Sequence, residues 1–210
     1  MRHPLLIRMA GVALFALIVV FGSMWVLSGS PFPKLPVRAL PSPPVPDWVD
    51  VQLIPVDGTS RTGESLSGVS DVIVHYVGNP GTSAQNNRNY FANRDSEVSA
   101  HFVVGLEGEV IQCVPLGEKS SASNWRNRDS ISIEVCHPDE EGQFTEASYD
   151  ALVRLTAWLC GEYGLTEEHV IRHYDVTGKQ CPLYYVVHED AWERFRADVR
   201  SALLENTEKD

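Results

Sequence analysis

Between His173 and Cys181 the chain reads His173-Tyr174-Asp175-Val176-Thr177-Gly178-Lys179-Gln180-Cys181, with Pro182 next. An imidazole, an amine and a thiol thus fall within nine residues of a polar, Gly-containing loop. A second imidazole, His75, lies at the end of the β-branched run Asp71-Val72-Ile73-Val74-His75-Tyr76, just before Gly78-Asn79-Pro80-Gly81. Zinc takes neutral imidazole and thiolate ligands, and catalytic sites keep three protein ligands with a fourth position open. His75, His173 and Cys181 would make such a set. Lys179 and a bound cation would both depress the Cys181 thiol pKa. Taken singly, each residue has a plainer explanation: a satisfied half-buried histidine, a loop lysine, a small apolar cysteine. Spacing alone leaves both readings open.

These residues need elements to position them. Residues 71–76 read as a buried strand, broken by the Gly/Pro loop that follows. Residues 84–94 are polar and fit a short helix carrying Tyr90 and Phe91. Residues 100–105 and 109–114 are apolar runs joined by Leu106-Glu107-Gly108, a hairpin signal. Residues 131–136 alternate as a further strand, placing Glu134 on a face with Ser132 and Cys136, opposite Ile131, Ile133 and Val135. Thr145 is placed to cap a helix running to about Tyr163, with Gly164 as its terminator. Leu152, Leu155, Thr156, Leu159, Cys160 and Tyr163 share one face of it. A short strand over 169–172 and an amphipathic helix over about 190–204 follow. Strands interleaved with helices, by hairpin and crossover connections, predict an α/β domain with a central mixed β-sheet flanked by helices.

The domain is only part of the chain. Of 210 residues, 17 are Lys or Arg and 28 Asp or Glu, a net charge of -11, which argues against a nucleic-acid partner. A hydrophobic content of 43% supports a packed core rather than global disorder. The balance is uneven. Residues 1–46 hold Arg2, Arg8, Lys34 and Arg38 with no acid, so the remaining 164 residues carry -15. No charge occurs between Arg8 and Lys34, and residues 9–28 have the ~20-residue apolar length of a membrane-spanning helix. Arg2 and Arg8 before it place the N-terminus in the cytoplasm. Residues 1–30 are therefore read as an uncleaved transmembrane anchor, with a cleaved signal peptide as the alternative; Pro31 directly after Ser28-Gly29-Ser30 disfavours cleavage there. Either way the following domain is exported. The Pro-rich stretch 31–46 reads as an extended spacer, and the folded domain as 47–210.

The ordered blocks Val72-Ile73-Val74-His75-Tyr76, Ser99-Ala100-His101-Phe102-Val103-Val104-Gly105-Leu106-Glu107-Gly108-Glu109, Asp129-Ser130-Ile131-Ser132-Ile133-Glu134-Val135 and His173 to Pro182 resemble the zinc-dependent N-acetylmuramoyl-L-alanine amidases of the peptidoglycan-recognition and phage-lysozyme type. The resemblance covers about residues 70–200. It implies Zn2+ held by His75, His173 and Cys181, Glu134 as general base, and Lys179 stabilising the transition state. It also implies peptidoglycan or a muropeptide as substrate, acted on by a monomer. The alternative is a binding-only wall module of the same fold; such relatives typically lack a metal ligand, particularly the Cys, and Cys181 is retained. Two positions depart from the pattern. Ala100 stands where some members carry a catalytic Tyr, which strengthens the assignment to Glu134. Ser121-Ala122 stands where a His-Ala pair is common. Among the remaining candidates, His101 is expected to line the site, and His137, His169 and His188 to lie on the surface. Cys136 is expected to be passive and Cys160 a core residue; no structural disulfide is expected. Trp125 suits either a sugar platform or an ordinary loop position.

Overall fold

A computed structural model describes residues 42–56 and 58–207. The anchor read over 1–30 and most of the 31–46 spacer lie outside these residues. Among the described residues no helix is long and apolar enough to cross a membrane.

The chain forms strand β1 (Val49–Val51), strand β2 (Asp71–Tyr76), helix α1 (Ala84–Phe91), strand β3 (Phe102–Val104) and strand β4 (Val110–Gln112). A 3-10 turn (Asn124–Arg128), strand β5 (Ser130–Val135), helix α2 (Glu146–Tyr163), a second 3-10 turn (Glu167–His169) and strand β6 (Val170–Arg172) follow. Short helices α3 (His173–Thr177) and α4 (Leu183–Val187) lead into the last helix, α5 (Glu189–Thr207). The six strands make one sheet in the order β1-β4-β3-β5-β2-β6. Only β3 and β4 pair antiparallel; every other pairing is parallel. The mixed sheet read from the sequence is what the chain builds.

Local chemistry sets the element ends. Ser83 accepts from the Asn86 amide and closes a capping box at α1. Thr145 Oγ1 accepts from the Ser148 amide at 3.0 Å, and Gly164 ends α2 with φ 64, a left-handed C-cap. The run 100–105 shortens to β3 because Gly105 N–H bonds to Glu109 carbonyl and begins the turn. Gly108 adopts φ 82 in that turn, where a Cβ would come within 2.8 Å of the Ala147 carbonyl oxygen. Three elements went unread. Val49-Asp50-Val51 is too brief to show an alternation, and α3 and α4 are single turns inside stretches that look like loop.

The sheet is covered unequally. On one face Val72, Val74, Phe102, Ile131, Ile133 and Val135 pack with Leu152, Leu155 and Leu159 of α2 and Trp192, Phe195 and Val199 of α5. Nearly all of these are fully buried, which is the main apolar driving force for the fold. On the other face a smaller cluster of Val103, Ile111, Ala100, Cys113 and Cys136 packs against Ala84 and Phe91 of α1. That helix is only eight residues long. Residues of β2 and β5 beyond its reach carry polar side chains, and there the site lies.

Candidate metal centre and active-site groove

β5, β2 and β6 run parallel, so their carboxyl ends open on one rim, where ligand sites of parallel sheets form. His75 and Glu134 are direct neighbours across β2 and β5. Val74 pairs with Arg172 on β6, so the chain leaves the sheet one residue before His173. His173 opens α3 and Gly178 ends it with φ 77. The Gly178 and Cys181 amides donate to the Tyr174 and Lys179 carbonyls, and Tyr174 N–H bonds to the Cys181 carbonyl. This closes residues 173–181 on themselves and returns Cys181 to His173; the Cys181–Pro182 peptide is cis.

The ligand atoms of His75, His173 and Cys181 consequently lie within 4.8 Å of one another, all three residues buried. They are the one His/Cys/Asp/Glu group among the described residues arranged to hold a metal ion. The imidazoles sit with ring centroids 4.6 Å apart. Each has its Nε2 engaged: that of His75 pairs with Ser123 Oγ at 3.0 Å, and that of His173 donates to Asn124 Oδ1 at 3.2 Å. Each therefore has Nδ1 left over. His173 Nδ1 is buried with no hydrogen-bond partner. A buried nitrogen lone pair without a donor is costly unless something else occupies it.

The electrostatics favour the neutral imidazoles that bind metals. Burial, the neighbouring His173 and Lys179 hold His75 well below its ordinary pKa, and burial with Lys179 lowers His173. Burial pushes the Cys181 thiol up to about 12, with Glu134 adding to the rise, against a Tyr76 backbone hydrogen bond and Lys179. A divalent ion inverts that order by stabilising the thiolate. Two neutral nitrogens, one sulfur and an unpartnered Nδ1 fit zinc better than a hard cation.

Glu134 flanks this set. Its Oε1 is 3.9 Å from His75 Nδ1, and its Oε2 is buried without a partner. Burial raises the carboxyl from 4.5 to about 8, and Lys179 pulls the other way. Lys179 is exposed and lines an open groove of about 690 Å³ together with His173, Gly178, Ser121, Ala122 and Asn124. All five residues singled out as candidates are thus gathered at one rim.

Other expectations need correction. His101 does not line the site: it is fully buried, its Nδ1 accepts from the Ser132 amide and its Nε2 donates to the Glu118 carbonyl. Both ring nitrogens are committed to backbone. His137 is not on the surface but 2% exposed, with Nε2 2.7 Å from the Val77 carbonyl and its ring against Tyr76. The Gly78–Gly81 turn folds back over it, Gly81 donating to its carbonyl, a closure invisible in linear sequence. His188 is exposed and His169 half-buried. Cys136 shares the Glu134 face but meets Asn87 Nδ2 at 3.5 Å and lies outside the ligand group. Cys113 and Cys160 are buried core thiols, and all four cysteines are unpaired. Trp125 is 62% exposed, with the Arg126 guanidinium over its ring.

Ser123, Asn124 and Arg172 escaped sequence reasoning. Arg172 is 7% exposed and bonds Asp175, Glu189 and the Tyr185 carbonyl, anchoring the segment that presents His173. An Arg beside a ligand His was a visible signal; nothing in the polar run 119–124 marked Ser123 or Asn124.

Comparison with known proteins identifies the family. Residues 66–183 match the family described as N-acetylmuramoyl-L-alanine amidase. The chain is 32% identical over 171 residues to the N-acetylmuramoyl-L-alanine amidase CwlL of Bacillus licheniformis, covering 73% of this chain and 47% of that protein. It is 30% identical over 171 residues to BlyA of Bacillus subtilis, covering 71% and 46%. The chain therefore spans about half the length of these curated relatives. Among solved structures, a mutant endolysin from Bacillus subtilis superimposes with a TM-score of 0.64 at 28% identity, over 72% of this chain and 97% of that one. The catalytic domain of XlyA gives 0.64 at 27% identity, over 72% and 98%. With its fold and sequence in accord with these relatives, the chain belongs to the N-acetylmuramoyl-L-alanine amidase family.

Proposed function

We propose that this chain hydrolyses peptidoglycan at the amide between the N-acetylmuramic acid lactyl group and L-alanine, with Zn2+ held by His75, His173 and Cys181. The observation that carries this reading is the convergence of those ligand atoms within 4.8 Å, with Glu134 3.9 Å from one of them. When bound, the ion supplies Lewis acidity toward the scissile carbonyl and acidifies water.

The chain's own residues do the rest. Glu134 stands beside the ligand set with Oε2 unpartnered, free to take a proton from attacking water and deliver it to the departing amine nitrogen. In this environment the carboxyl has two opposed influences: burial favours the protonated form, and Lys179 favours the ionised one. Any cation in the adjacent ligand set adds to the second, making the base form available near neutral pH. Lys179, on the groove wall, places positive charge where the tetrahedral oxyanion develops, a contribution of about 10²–10³-fold in comparable sites. Ala100 is fully buried and has no hydroxyl to offer, which supports Glu134 as the base. A wall-binding module would not need this buried carboxyl or the thiol. The reading of residues 1–30 as an anchor further places the domain outside the membrane, tethered near its substrate by the spacer.

The test is incubation of the chain with purified peptidoglycan, with chelator, with zinc restored, and as Glu134→Ala. New N-terminal alanine amines, absent with chelator and in the variant, are expected. A rise in sugar reducing ends would refute the amide assignment, and wall binding without cleavage would identify a binding module.

A further inference from the structure

Both candidate metal-binding imidazoles are held by consecutive residues of one loop. Ser123 takes His75 Nε2 at 3.0 Å and Asn124 takes His173 Nε2 at 3.2 Å. The two histidines arrive from different strands, β2 and the end of β6, 98 positions apart in the sequence. Nothing else among the described hydrogen bonds contacts either ring nitrogen. From this we infer that the Ser123–Asn124 step is a clasp that positions the two histidines, turning both Nδ1 atoms toward one point; the inference rests on the metal reading proposed above.

The loop is built for this. Asn127 Oδ1 accepts from the Ala122 and Ser123 amides at 3.1 and 2.6 Å, pinning the backbone that carries both groups. Ser123 is fully buried, and its Oγ lies 3.0 Å from Ser132 Oγ, which Ser120 Oγ approaches at 3.3 Å. The hydroxyl that meets His75 is therefore tied to β5, the strand that carries Glu134. Asn124 adopts φ 55, one of only two non-glycine residues with positive φ among the described residues. That conformation is uncommon outside glycine, and Asn tolerates it better than most. It aims the carboxamide back at His173 while the next residue, Trp125, turns outward.

The chemistry requires such a device. A neutral imidazole exposes one lone pair, and the hydrogen bond at its other nitrogen decides which. Asn124 Oδ1 can only accept, so His173 must carry its proton on Nε2 and present the lone pair on Nδ1. Ser123 Oγ can do the same for His75. Groups that orient metal-binding histidines in this way typically change metal affinity by about 10–100-fold when removed. Ser123 and Asn124 are thus positioning residues, acting through the two imidazoles they hold.

The test separates the carboxamide from the backbone conformation. Zinc affinity of the full chain is measured by competition with a chromophoric chelator, and ligand geometry by the visible absorption of the Co2+-loaded protein. Asn124→Gly keeps the left-handed backbone but loses the acceptor; Asn124→Asp keeps an acceptor and tolerates the backbone. The clasp predicts zinc binding weakened about 10–100-fold with a changed Co2+ spectrum in Asn124→Gly and in Ser123→Ala, and near wild-type values in Asn124→Asp. Thermal melts of the metal-free proteins report folding separately. Unchanged affinity and spectrum in a folded Asn124→Gly overturn the clasp while leaving the metal site intact. Absence of stoichiometric zinc binding in the wild-type chain overturns the metal reading itself.

Discussion

Replacing Glu134 with Gln should make the metal-free protein more stable at neutral and alkaline pH while abolishing catalysis. The carboxyl titrates at about 8 in the folded chain against an ordinary value of 4.5, chiefly because burial penalises its charge. Between those values the folded protein holds a proton that the unfolded chain has released. Unfolding then releases a proton, so stability falls as pH rises through the window and levels off above about 8. At about 1.36 kcal/mol per pH unit the whole window amounts to an upper bound of about 5 kcal/mol. The side chain retains 18% exposure and Lys179 lies close, so part of that bound is screened. Gln fills nearly the same volume and cannot ionise. Urea unfolding of both proteins in excess chelator, from pH 5 to 9 at fixed ionic strength, should give curves that meet near pH 5. They should then diverge, Glu134→Gln becoming the more stable. Saturating zinc should shrink the gap, because a nearby cation favours the ionised carboxyl. Parallel curves across the range would show that Glu134 is not held in a desolvated site, and the reasoning about its proton would fall with them.

Further outcomes follow from the same geometry. Lys179→Met should lower kcat on a soluble muropeptide by about 10²–10³-fold with little change in zinc affinity; a change confined to KM would make Lys179 a binding residue instead. Cys181→Ser should remove most zinc-dependent thermal stabilisation, read as the Tm difference with and without the ion. Arg172→Met strips a buried guanidinium from Asp175, Glu189 and the Tyr185 carbonyl; the carboxylates keep solvent, so the orphaned carbonyl dominates and a cost of about 1–3 kcal/mol is expected in denaturant unfolding. Thr145→Ala removes the α2 cap, and a loss of about 1 kcal/mol is expected by the same measurement.

The parts of this molecule that declared themselves in the sequence are those governed by short-range rules. The β2 run, the capped and glycine-terminated α2 and the Leu106–Gly108 turn obey local patterns, and the structure places them accordingly. The His75, His173 and Cys181 cluster was legible by residue type and by resemblance, because zinc chemistry limits the possible donors to a few side chains. Long-range geometry was not. His101 and His137 look alike in sequence to any loop or strand-end histidine; once buried, their ring nitrogens are satisfied by backbone carbonyls of Glu118, Asp139 and Val77, distant or turned-back groups that linear sequence does not show. The short strand β1 exists because β4 offers it a parallel edge. Ser123 and Asn124 become meaningful only once the sheet has carried His75 and His173 to the same rim. Their residue types are ordinary, and their partners lie 48 and 49 positions away.

The charge pattern bears on the same question. The 47–210 region carries -15, and cell-wall polymers are often anionic, so long-range attraction would not bring the chain to the substrate proposed for it. The proposed function therefore relies on specific contacts in the groove around Lys179 and on the proposed tether at residues 1–30.

Isotope placement reports which bond is cut. A defined muropeptide is digested by the zinc-loaded chain in water enriched in oxygen-18, and both products are weighed by mass spectrometry. Cleavage of the lactyl amide gives a peptide with a free L-alanine amine and no label, and a muramic acid whose lactyl carboxylate carries one heavy oxygen. Label on a sugar hemiacetal carbon, on a peptide carboxylate, or on neither product would contradict it.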